Sequence, residues 1–285
     1  MFTRLAAAGL AALTAATLAV APSAGASHRY RTCGDDRSRG LEVVGLTADQ
    51  RLVCFRPERP RQARDIGAVS GLQTDTTLVG IDYRPATGDL YGVGDQAGIY
   101  VIDPSNASAS LVARANVPLQ GASFGVDFNP AADRLRVISD TGQNLRINVA
   151  DGTTTVDGAL TNPPNPATGV TGAMYTNNDA DPNTATTLFD VDSALDQVSI
   201  QSPPNNGTLA ATGKLGVDTT PDVAADIYTE VKGGSAASNT AFAALSSGNG
   251  SSFYAVDLLT GKASRTGDFS ARNRVVGIAF PQNQR

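Results

Sequence analysis

Two aspartates occupy the same place in two copies of one short pattern, Gly80-Ile81-Asp82-Tyr83 and Gly125-Val126-Asp127-Phe128. A carboxylate pair on neighbouring strands could do acid–base work on a glycosidic bond. It could equally balance cations of its own chain, and cations are close by. Arg134 and Arg136 alternate on one face of a predicted strand, and Asn144, Arg146 and Asn148 on one face of the next. A turn around Asp140-Thr141-Gly142 sets these two polar faces side by side. Adjacent guanidinium groups bind carboxylate, phosphate or sulfate groups bidentately, and inside a protein they need a counter-charge. Asp82 and Asp127 are the expected counter-charges. The candidate ligand site is therefore Asp82, Asp127, Asn129, Arg134, Arg136, Asn144, Arg146 and Asn148. The competing reading of the same residues is a salt-bridge network between repeats.

A second group is rich in oxygen. Asp179, Asp181 and Asn183 alternate as calcium ligands do, with Asp190 at the twelfth place. Pro182 interrupts the loop, Thr184 replaces the sharp-turn glycine, and the bidentate glutamate is missing. A plain turn is the first expectation, and calcium is the one cofactor with a place in the sequence. Absences narrow the chemistry further. His28 is the one histidine, so the body of the chain offers no Ser-His-Asp or Cys-His arrangement and no His-ligated metal. There is no tryptophan to stack on a sugar, and no Gly-rich loop followed by lysine to cradle phosphate. No catalytic residue is assigned.

These side chains must be positioned by strands. Glutamate occurs only at Glu42, Glu58 and Glu230, lysine is scarce, and Gly, Thr, Val, Asp and Asn are plentiful, a composition suited to β-structure. Arg4, the apolar run Leu5–Val20, Pro22 and the small residues Ala24-Gly25-Ala26 read as a secretory signal peptide over residues 1–26. Residues 27–40 form a basic arm. The stretch 27–64 carries nine arginines against five acids, whereas 65–285 carries twelve Lys/Arg against twenty-two acids. An acidic body repels nucleic acid, so none is expected as a partner. Nothing after the leader is apolar enough to span a bilayer. Cys33 and Cys54 are the two cysteines, and in an oxidising compartment they are expected to form one disulfide.

The chain also repeats. A small residue followed three places later by an aromatic recurs at Gly80–Tyr83, Gly125–Phe128, Gly172–Tyr175, Ala225–Tyr228 and Gly277–Phe280. The aromatics are 45, 47, 53 and 52 residues apart, the period of a β-propeller. In this frame Asp82 and Asp127 correspond to Met174, Ile227 and Ala279 in the other repeats. Three further strands follow in each full unit. The N-terminal unit lacks its first strand, and the C-terminus is a lone first strand. The expectation is an all-β, five-bladed propeller of four-stranded antiparallel blades, closed by the C-terminal strand completing the N-terminal blade. The blades are placed at 41–71 with 275–281, then 78–117, 123–160, 170–216 and 222–269.

The stretches Gly125–Val137 and Gly142–Asn148 resemble the signature of a bacterial family known as domain of unknown function 4394, from about residue 41 onward. That resemblance implies a secreted propeller-like domain and carries no activity with it. The functional expectation is a non-enzymatic module of the cell exterior, for binding or scaffolding, with a polar Arg/Asp site near the channel. Its partner would be an extracellular glycan, a small anion or another exported protein. The alternative is an Asp-dependent hydrolase or lyase acting on a glycan or small anionic substrate.

Overall fold

Short alternating segments separated by Asp, Asn, Gly and Pro turns give strands of four to seven residues in most of the chain. A computed structural model describes residues 40–248, 250–282 and 284. The leader, nearly all of the basic arm, His28 and Cys33 lie outside the described residues. The strands form five four-stranded antiparallel sheets. Blade 2 is β4 (Leu78–Tyr83), β5 (Leu90–Gly94), β6 (Gly98–Asp103) and β7 (Ser108–Arg114). Blade 3 is β8 (Phe124–Asn129), β9 (Arg134–Ser139), β10 (Asn144–Ile147) and β11 (Thr154–Val156). A two-stranded hairpin, β12 (Thr161–Asn162) and β13 (Asn165–Pro166), precedes blade 4. Blade 4 is β14 (Val170–Tyr175), β15 (Leu188–Asp192), β16 (Gln197–Gln201) and β17 (Leu209–Lys214). Blade 5 is β18 (Val223–Lys232), β19 (Ser235–Ser247), β20 (Gly250–Val256) and β21 (Ala263–Asp268).

Blade 1 closes the ring. Its outer strands are β1 (Val43–Thr47), β2 (Arg51–Phe55) and β3 (Arg64–Ala68), and its innermost strand is the C-terminal β22 (Val275–Ala279). Val44 pairs with Ala279 and Gly45 with Ile278. The chain is thus an all-β, five-bladed propeller closed as the repeat predicts. Closure leaves the inner edge of blade 1 paired instead of open to another chain.

One apolar cluster fills each seam between blades, and four of the five are extensive. Leu46, Ile81, Leu90 and Tyr100 join blades 1 and 2, and Val93, Phe128, Leu135 and Val137 join blades 2 and 3. Met174, Phe189, Ile227 and Ala243 join blades 4 and 5, and Phe55, Phe242, Phe253 and Phe280 join blades 5 and 1. Phe242 and Phe253 stack at 5.5 Å, while Phe55 meets Phe253 edge-on at 5.0 Å. The fifth cluster, between blades 3 and 4, is smaller. Ile138, Leu160, Ala173, Tyr175 and Leu188 belong to it, and polar side chains occupy the rest of that seam.

The small residue of each repeat has a steric cause. The inner strands crowd the axis, so a Cβ on Gly80 would meet Val126 at 2.5 Å, and one on Gly125 would meet the Ala173 backbone nitrogen at 2.7 Å. The axis is therefore narrow, and side chains from the inner strands fill it.

Candidate functional site

Asp82 on β4, Asp127 on β8 and Asp226 on β18 converge at the axis, with carboxylate oxygens within 4.8 Å of one another. All three are buried. Each reaches across to the next blade and accepts a hydrogen bond from a backbone N–H there. Asp82 takes the amide of Phe128 at 2.7 Å, Asp127 that of Tyr175 at 3.1 Å, and Asp226 that of Phe280 at 2.8 Å. Asp82 and Asp226 also accept the amides of the residues that follow them, Tyr83 and Ile227. Three of the five inner strands are thus laced to their neighbours by a carboxylate. At the equivalent places β14 and β22 have Met174 and Ala279, whose side chains cannot accept.

This lacing corrects the repeat frame in blade 5. Ile227, not Tyr228, stands where the other blades have their aromatic, and Asp226 takes the place assigned to Ile227. The frame followed the aromatic, and a one-residue slip moves every side chain of a strand to its other face. The signal that identifies Asp226 was present as small-x-Asp in Gly80-Ile81-Asp82, Gly125-Val126-Asp127 and Ala224-Ala225-Asp226.

Enclosure sets the electrostatics. Burial pushes the Asp82 carboxyl well above the usual range, and the Asp226 charge adds to it. Burial does the same to Asp127, reinforced by Asp82 and Asp226. Asp226 is pushed up to about 7 by burial, against the pull of its two amide donors. Like charges this close in a low dielectric do not all ionise together, so the cluster holds protons or a cation. Among the described residues this is the one grouping of three acidic side chains whose ligand atoms converge closely enough for a metal ion. At one mouth of the channel, Asp82 and Asp226 floor a recess lined by Asn178, Tyr228, Thr229 and Gln282. Two extended features wall it. The β18–β19 hairpin outreaches every other in the ring, and the 177–186 loop docks on it through Asn177–Asn239 and Asn178–Thr229 hydrogen bonds.

The arginine cluster lies elsewhere. The register places Arg136 opposite both Asp127 and Arg146, so the polar faces of β9 and β10 do adjoin. The counter-charge, however, is Asp157 and not Asp82 or Asp127. Arg136 donates to Asp157 and Asn144 at 2.7 Å each, to Asn205 at 3.0 Å and to the Tyr175 hydroxyl at 3.3 Å. Asp82 and Asp127 point to the axis and are held by main-chain amides, whereas Asp157 follows β11 and closes over the guanidinium. Arg146 makes a two-pronged pair with the same Asp157. Asn144 donates to the carbonyls of Gly158 and Pro204. Arg136, Asn144 and Arg146 are therefore brought together in the blade 3–4 seam.

Three of the sequence candidates stand apart. Arg134 bonds the carbonyls of Ala132 and Asp133, Asn129 accepts the amides of Ala131 and Ala132, and Asn148 accepts that of Ala150. They shape turns. In the 177–186 loop, Asp179 accepts the amides of Asp181 and Ala236, and Asp181 accepts that of Asn183. Asp190 does not face this loop. It lies wholly buried on β15, in the same seam as Arg136. Cys54 is buried on β2.

The site and fold define a five-bladed propeller with an acidic, laced axis. The chain belongs to the family described as domain of unknown function (DUF4394), which it matches over residues 51–279. No curated protein matches it. Solved structures share the fold at low identity. One is the hydrazine synthase of Kuenenia stuttgartiensis, at 12% identity and a TM-score of 0.40, covering 69% of this chain and 51% of that one. Another is an auxiliary nutrient binding protein from Bacteroides ovatus, at 11% and 0.38, covering 59% and 46%. A third is a protein from Lactobacillus plantarum, at 13% and 0.39, covering 84% and 99%. The chain spans about half the length of the first two. None of these likenesses bears on its activity. Among the described residues no helix is long and apolar enough to cross a membrane.

Proposed function

We propose that this chain is an exported, non-catalytic binding or scaffold module whose ligand-facing surface is the walled recess at the channel mouth. One observation carries the reading. The polar groups that the sequence offered for catalysis are committed to holding blades together, whereas the recess presents Asn178, Thr229, Tyr228 and Gln282 above the Asp82 and Asp226 floor. Acceptor oxygens dominate that surface, which favours a hydroxyl-rich ligand, an extracellular glycan above all, over a small anion. The leader-like N-terminus supports export.

A hydrolase or lyase would need a carboxyl group in contact with substrate. Asp82, Asp127 and Asp226 are 6%, 1% and 3% exposed, and their oxygens face backbone amides, which supports the non-catalytic reading.

The test is thermal unfolding of the purified protein with a panel of neutral and acidic oligosaccharides and small anions. A sugar held at about 100 times its dissociation constant adds about 2.7 kcal/mol, or about 5–10 °C for a domain of this size. Thr229→Arg, which fills the recess, should abolish that shift and leave the midpoint without ligand unchanged. Release of reducing ends from any panel sugar, lost in Asp226→Asn, would replace this reading with the hydrolase. An unmoved midpoint across the whole panel would remove the glycan.

A further inference from the structure

Asp190 is the most deeply buried carboxylate outside the axis, with no exposed surface. Neither of its oxygens has a hydrogen-bond partner among the described residues. It is accompanied by two more orphans. Ser199 stands directly opposite Asp190 across the β15–β16 ladder, and Gln201 stands opposite Leu188, two places along the same face. Ser199 Oγ and Gln201 Oε1 are likewise buried and unpartnered. Paired positions on adjoining strands bring side chains of one face to roughly 5 Å at Cβ, so these oxygens gather in one patch. The patch faces blade 3, because Tyr175 and Leu188 on the same face meet Ile138 and Arg136 there. Buried polar groups are otherwise almost always satisfied, so several together call for an occupant.

The atoms decide what kind. All four are oxygens, two of them from one carboxylate. Arg136 is near enough to stabilise Asp190 electrostatically, yet its hydrogen bonds go to Asp157, Asn144, Asn205 and Tyr175. Asp157 already matches its charge. Asp127 and Asp190 are left as enclosed carboxylates with no cationic hydrogen-bond partner among the described residues, and Asp192 adds a third carboxyl on the Asp190 face of β15. Excess negative charge with oxygen-only donors is the chemistry of a hard cation.

We propose that the seam between blades 3 and 4 is a cation site of the calcium class, ligated by both carboxylate oxygens of Asp190 with Ser199 Oγ and Gln201 Oε1. The ion substitutes here for the apolar contacts that hold the other four seams. It is separate from the recess and stands or falls without it.

The experiment uses the whole protein, stripped with EDTA and then titrated with calcium, followed by thermal unfolding and calorimetry. EDTA should lower the midpoint by about 5 °C and calcium should restore it. Asp190→Asn should match the stripped midpoint and give no calcium response. Asp179→Asn and Asp226→Asn should respond like the parent. Should Asp190→Asn fail to fold, Ser199→Ala must weaken calcium affinity by about tenfold or more, and a crystal of the calcium-loaded protein must show an ion about 2.3–2.6 Å from the Asp190 oxygens. A midpoint indifferent to EDTA and calcium overturns the proposal. So does a calcium response lost in Asp179→Asn or Asp226→Asn but kept in Asp190→Asn, or a species at water distances of about 2.7–3.2 Å.

Discussion

Asp226 makes the axis a pH-sensitive element. Asp82, Asp127 and Asp226 keep protons in the fold at a pH where the unfolded chain has released them, since unfolded aspartates ionise near 4. The native state then binds more protons than the unfolded one, and stability falls as pH rises from about 4 through about 7. Asp133 acts in the opposite sense. Its ion pair with Arg84 holds the carboxyl low, so that contribution is lost as pH falls through and below the unfolded range. Unfolding followed from pH 3 to 8 should show a maximum near 4–5 and a decline toward 7. Asp226→Asn should flatten the decline, and an unchanged slope in that variant would mean the axial carboxyls do not titrate as a group.

The two arginines of β9 separate on the same scale. Arg136→Met strands a buried Asp157 with Asn144 and Asn205 and should cost about 3–5 kcal/mol. Arg134→Met touches only turn carbonyls and should stay within about 0.5 kcal/mol. Urea titrations of both variants distinguish them. Alternation along the strand placed Arg136 and Arg146 on one face correctly. It could not identify Asp157 as their partner, because that contact depends on how the chain turns after β11. Asp190 was visible only as a loop position, since burial is not a property of spacing.

At the scale of the element, the β-strands were largely legible because each is short, alternating and bounded by turn residues. The inner strand of blade 1, expected at 275–280, forms at Val275–Ala279, and the second strand of blade 3, expected at 135–139, forms at Arg134–Ser139. Blade 5 was harder. Its first hairpin runs on beyond the blade, so Tyr228 sits inside a long strand and imitates the repeat aromatic. The repeat glycines yield a further prediction. Gly125→Ala brings a Cβ to 2.7 Å from the Ala173 nitrogen and 2.8 Å from the Gly172 carbonyl carbon, both backbone atoms. One inner strand must shift, at a cost of about 1–3 kcal/mol. Gly88→Ala meets nothing within 4 Å but sits at φ +76°, so its cost is the smaller one of a strained turn, about 1 kcal/mol. Chemical unfolding should rank the two in that order.

Across the whole molecule, the ring is held by five seams of unequal character. Four are apolar, and the seam between blades 3 and 4 relies on Arg136, Asp157, Asn144 and Asn205. Salt screens an enclosed ion pair poorly, so moderate ionic strength should leave the midpoint nearly unchanged, whereas Arg136→Met should make opening between those blades the easiest local motion, read by hydrogen exchange in β9 and β14. The repeat period made the number of blades readable, but the inequality of the seams was not, because it arises between residues such as Asp190 and Arg136 that no single repeat contains.

The pairing of β22 with β1 also sets an order of events. A ribosome delivers β1 early and β22 after every other blade, so blade 1 waits with its inner edge bare and the faces of Val44 and Leu46 uncovered. Such a contact between distant parts of the chain slows folding, and the waiting edge is the surface a holdase chaperone would shield. The native ring is therefore a post-translational product, formed in one late step once the last strand is free to insert.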